Sequence, residues 1–269
     1  MLPKDQLDRI RIVLVSPRNP LNIGAVARAM ANFGFEHLGV AAPYAPHWRE
    51  ARSAVGAPEL LRRANESASL AEAVKECTLV IGTGTLTHRK PEQPVILLPS
   101  LTPLIEQELA RGGHIALVFG PEKHGLTRDD LSYCHVLVEI PTDPRQPSMN
   151  LGQAAAVCLY EIGSRNINTD ATPTQTKHPT ATPDSQPGQP DDKNQAPTSG
   201  NLDIVAGLIE KVMAESDYSP RIMQAANRHS IRLLLRRLNL NSADSRRILG
   251  LFRRVLWRLT HASTRNVTN

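Results

Sequence analysis

Three cysteines in 269 residues, Cys77, Cys134 and Cys158, are too few and too widely spaced for a disulfide framework or a CxxC metal pair. Their expected role is packing in a reducing compartment, and no metal site is expected. No apolar run approaches the ~18 uncharged residues that a membrane span needs. The amino terminus, MLPKDQLDRI, has charges where a secretory leader would be apolar, so an uncleaved cytoplasmic chain is expected. A dinucleotide-binding oxidoreductase would need GxGxxG opening a helix after a strand. GTGT at Gly82 to Thr85 is the one candidate, and the LTHRKPEQP that follows it cannot be a regular helix interior because proline breaks it. A GxxxxGK[ST] phosphate loop is missing too, which leaves an ATPase without support.

What is present is the composition of a soluble globular protein: 41% hydrophobic and 21% charged residues, with a mean hydropathy of −0.28. The length suits one large domain, or a medium domain plus a small one. The formal net charge of +5 is unevenly spread. Residues 201 to 269 hold twelve Lys/Arg against five Asp/Glu, whereas residues 1 to 200 hold nineteen against twenty-one. A basic carboxyl-terminal quarter points to an anionic partner at that end, nucleic acid first and a membrane surface second.

From Ser164 to Gly200 the chain carries six prolines with Thr, Gln, Asp and Asn and almost nothing bulky and apolar, the composition of a disordered linker. Ahead of it, IRIVLV (residues 10–15), HLGVAA (37–42), TLVIG (78–82), HIALVFG (114–120) and VLVEI (136–140) are mostly solid apolar runs, as strands buried on both faces of a parallel sheet should be. Helix signals alternate with them. Asn22 can cap IGAVARAMANF with Gly34 just past its end, Ser69 and Glu72 read as a capping box, and Ser100 precedes LTPLIEQELARGG. Alternation of this kind predicts an open α/β sheet with its ligand crevice beyond the carboxyl ends of the strands. After the linker the pattern is all-helical, roughly 203–216, 221–238 and 242–260. In the last segment Ile248, Phe252, Val255, Leu256 and Leu259 share one side and Arg247, Arg254 and Arg258 the other. That cationic side is either an ordinary solvated face or an RNA contact.

Three loops at strand ends hold residues that can do chemistry. In SPRNPLNIGAVARAM, the small Gly24, Ala25 and Ala27 allow close helix packing, and Arg28 lies among apolar neighbours. Its guanidinium must snorkel outward or meet an anion, the commonplace choice being a carboxylate. In FGPEKHGL, Glu122 follows a strand between Gly120 and Gly125, which suit backbone bends and close approach to a ligand, although acidic residues are common in surface turns. The third, PTDPRQPSMNLGQAAAV, ends in Ser148, Met149 and Asn150 before a helix of very small residues, and Asn150 can simply be that helix's N-cap.

Together, in this order and spacing, NIGAVARAMANFGF (22–35), ALVFGPEKHGL (116–126) and IPTDPRQPSMNLGQAAAV (140–157) resemble the SpoU branch of the SPOUT superfamily of RNA 2′-O-methyltransferases, most closely its TrmJ-type tRNA methyltransferases. The resemblance spans residues 10 to 163 and continues more loosely over 201 to 260. The proline-rich insert between the two is a departure. It divides the chain into a methyltransferase domain at 1–163, a linker at 164–200 and a basic helical extension at 201–269.

The resemblance implies an α/β fold knotted as a deep trefoil, against the usual rule for chains. It implies a homodimer with active sites at the interface, S-adenosylmethionine as cofactor and a ribose 2′-hydroxyl of tRNA as acceptor. That acceptor would be position 32 of the anticodon loop, cytidine alone or both pyrimidines, with ribosomal RNA as the other candidate. The cofactor positions implied are Thr83, Gly84, Thr85, Gly120, Ile140, Pro147, Ser148 and Met149, and the catalytic set is Arg28 with Asn22, Glu122, Ser148 and Asn150. A rival is an RNA-binding or assembly factor on the same fold without turnover, against which the intact set speaks.

Overall fold

The computed structural model describes residues 2–44, 48–51, 53–84, 91–164, 195–218 and 220–265. Among the described residues seven strands form one sheet: β1 (Ile10–Val15), β2 (His37–Ala41), β3 (Asn65–Ser67), β4 (Leu79–Thr83), β5 (Val95–Leu97), β6 (Ile115–Phe119) and β7 (Val136–Glu139). Their order is β3-β2-β1-β6-β4-β7-β5, and every pairing is parallel. The five solid apolar runs become the five central strands. The two short edge strands were not evident in the sequence because neither is an apolar run with a covered face; β3 is polar, and Val95 and Leu97 of β5 stay exposed.

The helices are α1 (Lys4–Leu7), α2 (Pro20–Asn32), α3 (Pro58–Arg63), α4 (Leu70–Ala73), α5 (Leu101–Ala110), α6 (Arg128–Leu131), α7 (Leu151–Ser164), α8 (Ser199–Glu215), α9 (Gln224–Arg237) and α10 (Ser242–Arg265). One core, with Ile12, Leu14, Met30, Phe35, Leu117 and Phe119, lies under α2, α5 and α7; a second, with Val13, Val80, Val118 and Leu137, covers the opposite face. Alternate residues of each central strand feed the two cores, which is why those strands read as unbroken apolar runs. The three cysteines are buried as free thiols, and burial pushes Cys77 up to about 11 and Cys134 and Cys158 up to about 12. Thiols held protonated in this way serve packing.

One cap differs from the sequence expectation. Asn19, not Asn22, caps α2: its Oδ1 accepts from Leu21 N at 3.0 Å, with Pro20 at the first helical position. Asn22 is left inside the first turn, its side-chain amide available for contacts beyond the helix. Ser69 caps α4 as expected, but Glu72 reaches back to Ala68 N rather than to Ser69 N.

The segment expected to be a linker falls largely outside the described residues. The helices beyond it are present and sit against the sheet unit. Arg236, with a side chain 1% exposed, donates to Tyr133 O at 3.0 Å, Ser199 Oγ at 2.9 Å and Asp203 at 3.1 Å. Arg232 bonds Asp129 at 2.9 Å and lies over the Tyr133 ring. No helix among the described residues is long and apolar enough to cross a membrane.

Candidate active site

The loops that follow β1, β6, β4 and β7, four adjacent strands, meet at one end of the sheet. After β6 the chain turns sharply: a side chain on Gly120 would overlap the backbone of Gly125 and Leu126, and Gly125 itself has φ +64°. Only glycine permits that fold-back. It aims Glu122 at the first turn of α2. One carboxylate oxygen accepts from Asn19 N at 3.1 Å and Asn22 Nδ2 at 2.9 Å, and the other from Arg18 N at 3.2 Å. Burial raises the pKa of Glu122, but these bonds outweigh it and hold the carboxyl below its ordinary value. At neutral pH Glu122 is therefore an ionised acceptor.

Asn22 passes the contact on, its Oδ1 accepting from Asn150 Nδ2 at 2.9 Å. Asn150 Oδ1 accepts from Gly152 N at 2.9 Å and from Gln153 N at 3.4 Å, so this residue is the N-cap of α7 and part of the polar chain at once. The loop before it is held by an Asp143–Arg145 ion pair at 2.7 Å and by Thr142 Oγ1 on Pro147 O at 3.2 Å.

Beside this chain lies a cavity of about 270 Å³. Thr83, Gly84, Gly120, Ile140, Pro147, Ser148 and Met149, all expected at the cofactor, line it together with Glu122. Thr85 lies outside the described residues. The Thr83 hydroxyl is committed to Val118 O at 2.9 Å, so what β4 offers the cavity is mainly backbone. The sequence reading missed Lys123, His124, Leu151 and Ala154, which also line it and sit inside the motifs already singled out.

Arg28 is elsewhere. It is exposed on α2, does not line the cavity, and forms no hydrogen bond or ion pair with any described residue. The guanidinium thus snorkels outward. Leu21 and Arg28, seven residues apart, share a stripe of α2, which crosses α7 so closely that a side chain on Gly152 would strike Ala25. Val157 and Tyr160 of α7 are exposed as well. Among the described residues there is no His/Cys/Asp/Glu cluster able to hold a metal.

The model of the SpoU rRNA Methylase family matches residues 9–160, more than half of the chain. The chain belongs to that family. Among similar proteins, a tRNA (cytidine/uridine/adenosine-2′-O-)-methyltransferase TrmJ of Pseudomonas aeruginosa is 38% identical over 170 residues, 63% of this chain and 66% of the relative. A tRNA (cytidine/uridine-2′-O-)-methyltransferase TrmJ of Pectobacterium atrosepticum is 37% identical over 157 residues, 58% of this chain and 64% of the relative. The chain thus spans slightly less than two thirds of these relatives' lengths. In three dimensions it resembles the crystal structure of TrmJ from Z. mobilis, with a TM-score of 0.73, 27% identity, and 91% and 98% of the two chains covered. That coverage reaches beyond the family-matched residues into the carboxyl-terminal helices, so the α/β sheet with a helical extension is an arrangement this chain shares with that structure.

Proposed function

We propose that this SpoU protein methylates a ribose 2′-hydroxyl in RNA, with S-adenosylmethionine as donor and tRNA, at position 32 of the anticodon loop, as the substrate. The observation that carries this reading is the Glu122–Asn22–Asn150 chain, which ties three loops together beside a cavity lined by Glu122 and by the residues expected at the cofactor. Glycine at 120 and 84 lets a flat ligand approach the backbone, and among the described residues Glu122 is the one carboxylate lining the cavity. These residues suit a cofactor with an adenine edge and one positive centre. When bound, S-adenosylmethionine supplies a methyl group on a sulfonium sulfur.

The residues of the chain then have positioning roles. Transfer needs the hydroxyl oxygen in line with the methyl carbon and sulfur at about 3 Å. A guanidinium is a poor base but a good phosphate clamp, and the bidentate fork of Arg28 polarises the neighbouring hydroxyl. Asn22, Asn150 and Ser148 orient the nucleotide. Because Arg28 does not line the cavity of its own chain, the reading includes a homodimer in which exposed residues of α2 and α7 meet a second copy and Arg28 is delivered to the partner's cavity. The exposed Arg254–Trp257–His261 column on α10, with Arg254 4.4 Å from the indole centroid and the rings 4.5 Å apart, favours RNA on the extension over a merely solvated face.

The test is nucleoside mass spectrometry of tRNA incubated with the purified chain and labelled S-adenosylmethionine. A 2′-O-methylated nucleoside in the anticodon loop is expected. Label confined to ribosomal RNA would move the substrate, and no label in either would overturn the reading.

A further inference from the structure

Strands β1 and β2 end alike. In register, with Val15 opposite Ala41, they run into Ser16-Pro17-Arg18 and Ala42-Pro43-Tyr44. Ser16 and Ala42 both occupy the left-handed region, at φ 43° and 46°, although neither is glycine. Each is locked by its neighbour strand: Ser16 N donates to Ala41 O and Ala42 N to Ser67 O, both at 2.8 Å, while Tyr44 N reaches Pro17 O at 3.4 Å. Two unfavourable backbone conformations at matched positions persist only where the surroundings over-determine them, and such strain gathers at functional sites. Its outcome here is specific. The Arg18 guanidinium lies over the Tyr44 ring at 4.7 Å from the centroid, and Tyr44 remains 69% exposed. The guanidinium makes no ion pair with a described residue, so its charge is uncommitted and only its contact with Tyr44 orients it.

The pair stands at the rim of the candidate site, because the Arg18 and Asn19 amides are the ones that bind Glu122. We infer that Arg18 and Tyr44 form a stacking platform for an unpaired RNA base next to the target ribose. A phosphate alone would be served by exposed donors and gains nothing from a phenol ring. An unstacked base gains from both planes, since aromatic rings and guanidinium planes are the surfaces on which single-stranded RNA is held. The inference deepens the methyltransferase reading and rests on it.

The experiment uses the full chain with an unmodified tRNA transcript, measuring binding and methylation separately for wild type, Tyr44→Ala, Tyr44→Leu and Tyr44→Phe. Tyr44→Ala and Tyr44→Leu should weaken transcript binding and raise its KM about tenfold, and Tyr44→Phe should restore both. S-adenosylmethionine affinity and the salt dependence of binding should not move, because every phosphate-binding cation is kept. Tyr44→Ala within about twofold of wild type, leucine serving as well as phenylalanine, or Tyr44→Phe as defective as alanine would each overturn the platform. A wild-type chain that binds the transcript but never methylates it would overturn the methyltransferase reading, while the binding series still decides on Tyr44. A chain that binds no RNA would overturn both.

Discussion

The sheet unit and the carboxyl-terminal helices are held by different interactions. Residues 10–163 bury unbroken aliphatic strands between two apolar layers, whereas residues 199–265 share only a small core of Leu202, Val205, Ala206 and Leu235. Their attachment to the sheet unit is polar: Arg236 on Tyr133 O, Arg232 on Asp129, and His229 3.4 Å from Glu92. Apolar burial tolerates repacking, but a buried guanidinium allows one geometry. The extension is thereby given a fixed orientation without a large hydrophobic interface, and its outer arginines stay exposed to an anionic partner.

The sharpest break between the two units is made at Arg28, which belongs to the sheet unit but contributes nothing to its packing. Arg28→Ala should lower methyl transfer on the order of 10²–10³-fold, the scale of removing one electrostatic interaction made in the transition state, with an unchanged melting temperature and cofactor affinity measured alongside. Arg28→Lys should recover little, because the planar fork is gone.

Next comes Arg236→Ala, which should cost about 3 kcal/mol by leaving buried acceptors unpaired. Hydrogen exchange should show the loss in 199–265 and leave β1, β4 and β6 protected, separating the polar attachment from the apolar core.

Smaller is the effect of His135, at the seam between the two units. Desolvation and then the Arg236 charge push it down to about 3, while its Nδ1 accepts from Val80 N at 3.1 Å. The unfolded chain takes up this proton near pH ~6.5 and the folded one only near about 3, so the contribution is whole above ~6.5 and is lost as pH falls through that window. Denaturation midpoints measured from pH 7 to 4 should decline less in His135→Gln than in wild type.

Smallest is a change confined to the outer face. Replacing Arg247, Arg254 and Arg258 by Gln should leave stability unchanged and flatten the salt dependence of tRNA binding by about 0.7–0.9 in slope for each phosphate that is no longer neutralised.

Local patterns accounted for much of this. Solid apolar runs announced the five central strands, and three motifs announced the loops that surround the cavity. The edge strands β3 and β5 were silent because exposure removes the hydrophobic signal. The choice between cap and functional residue at Asn22 and Asn150 depended on partners 100 and 128 residues away, which no window of sequence holds. The Arg18–Tyr44 pair is hidden for the same reason, being made by two strands in register.

The amino-acid sequence by itself determined the parallel sheet, the basic character of the tail and the residue types at the candidate site, because each follows from short-range periodicity or composition. Only the tertiary structure decided that Glu122 faces Asn22, that Arg28 turns away from the cavity of its own chain, and that the extension is docked through Arg236. Those outcomes depend on which strand ends lie side by side, and that is set by the order in which the sheet is assembled rather than by any residue's own preference.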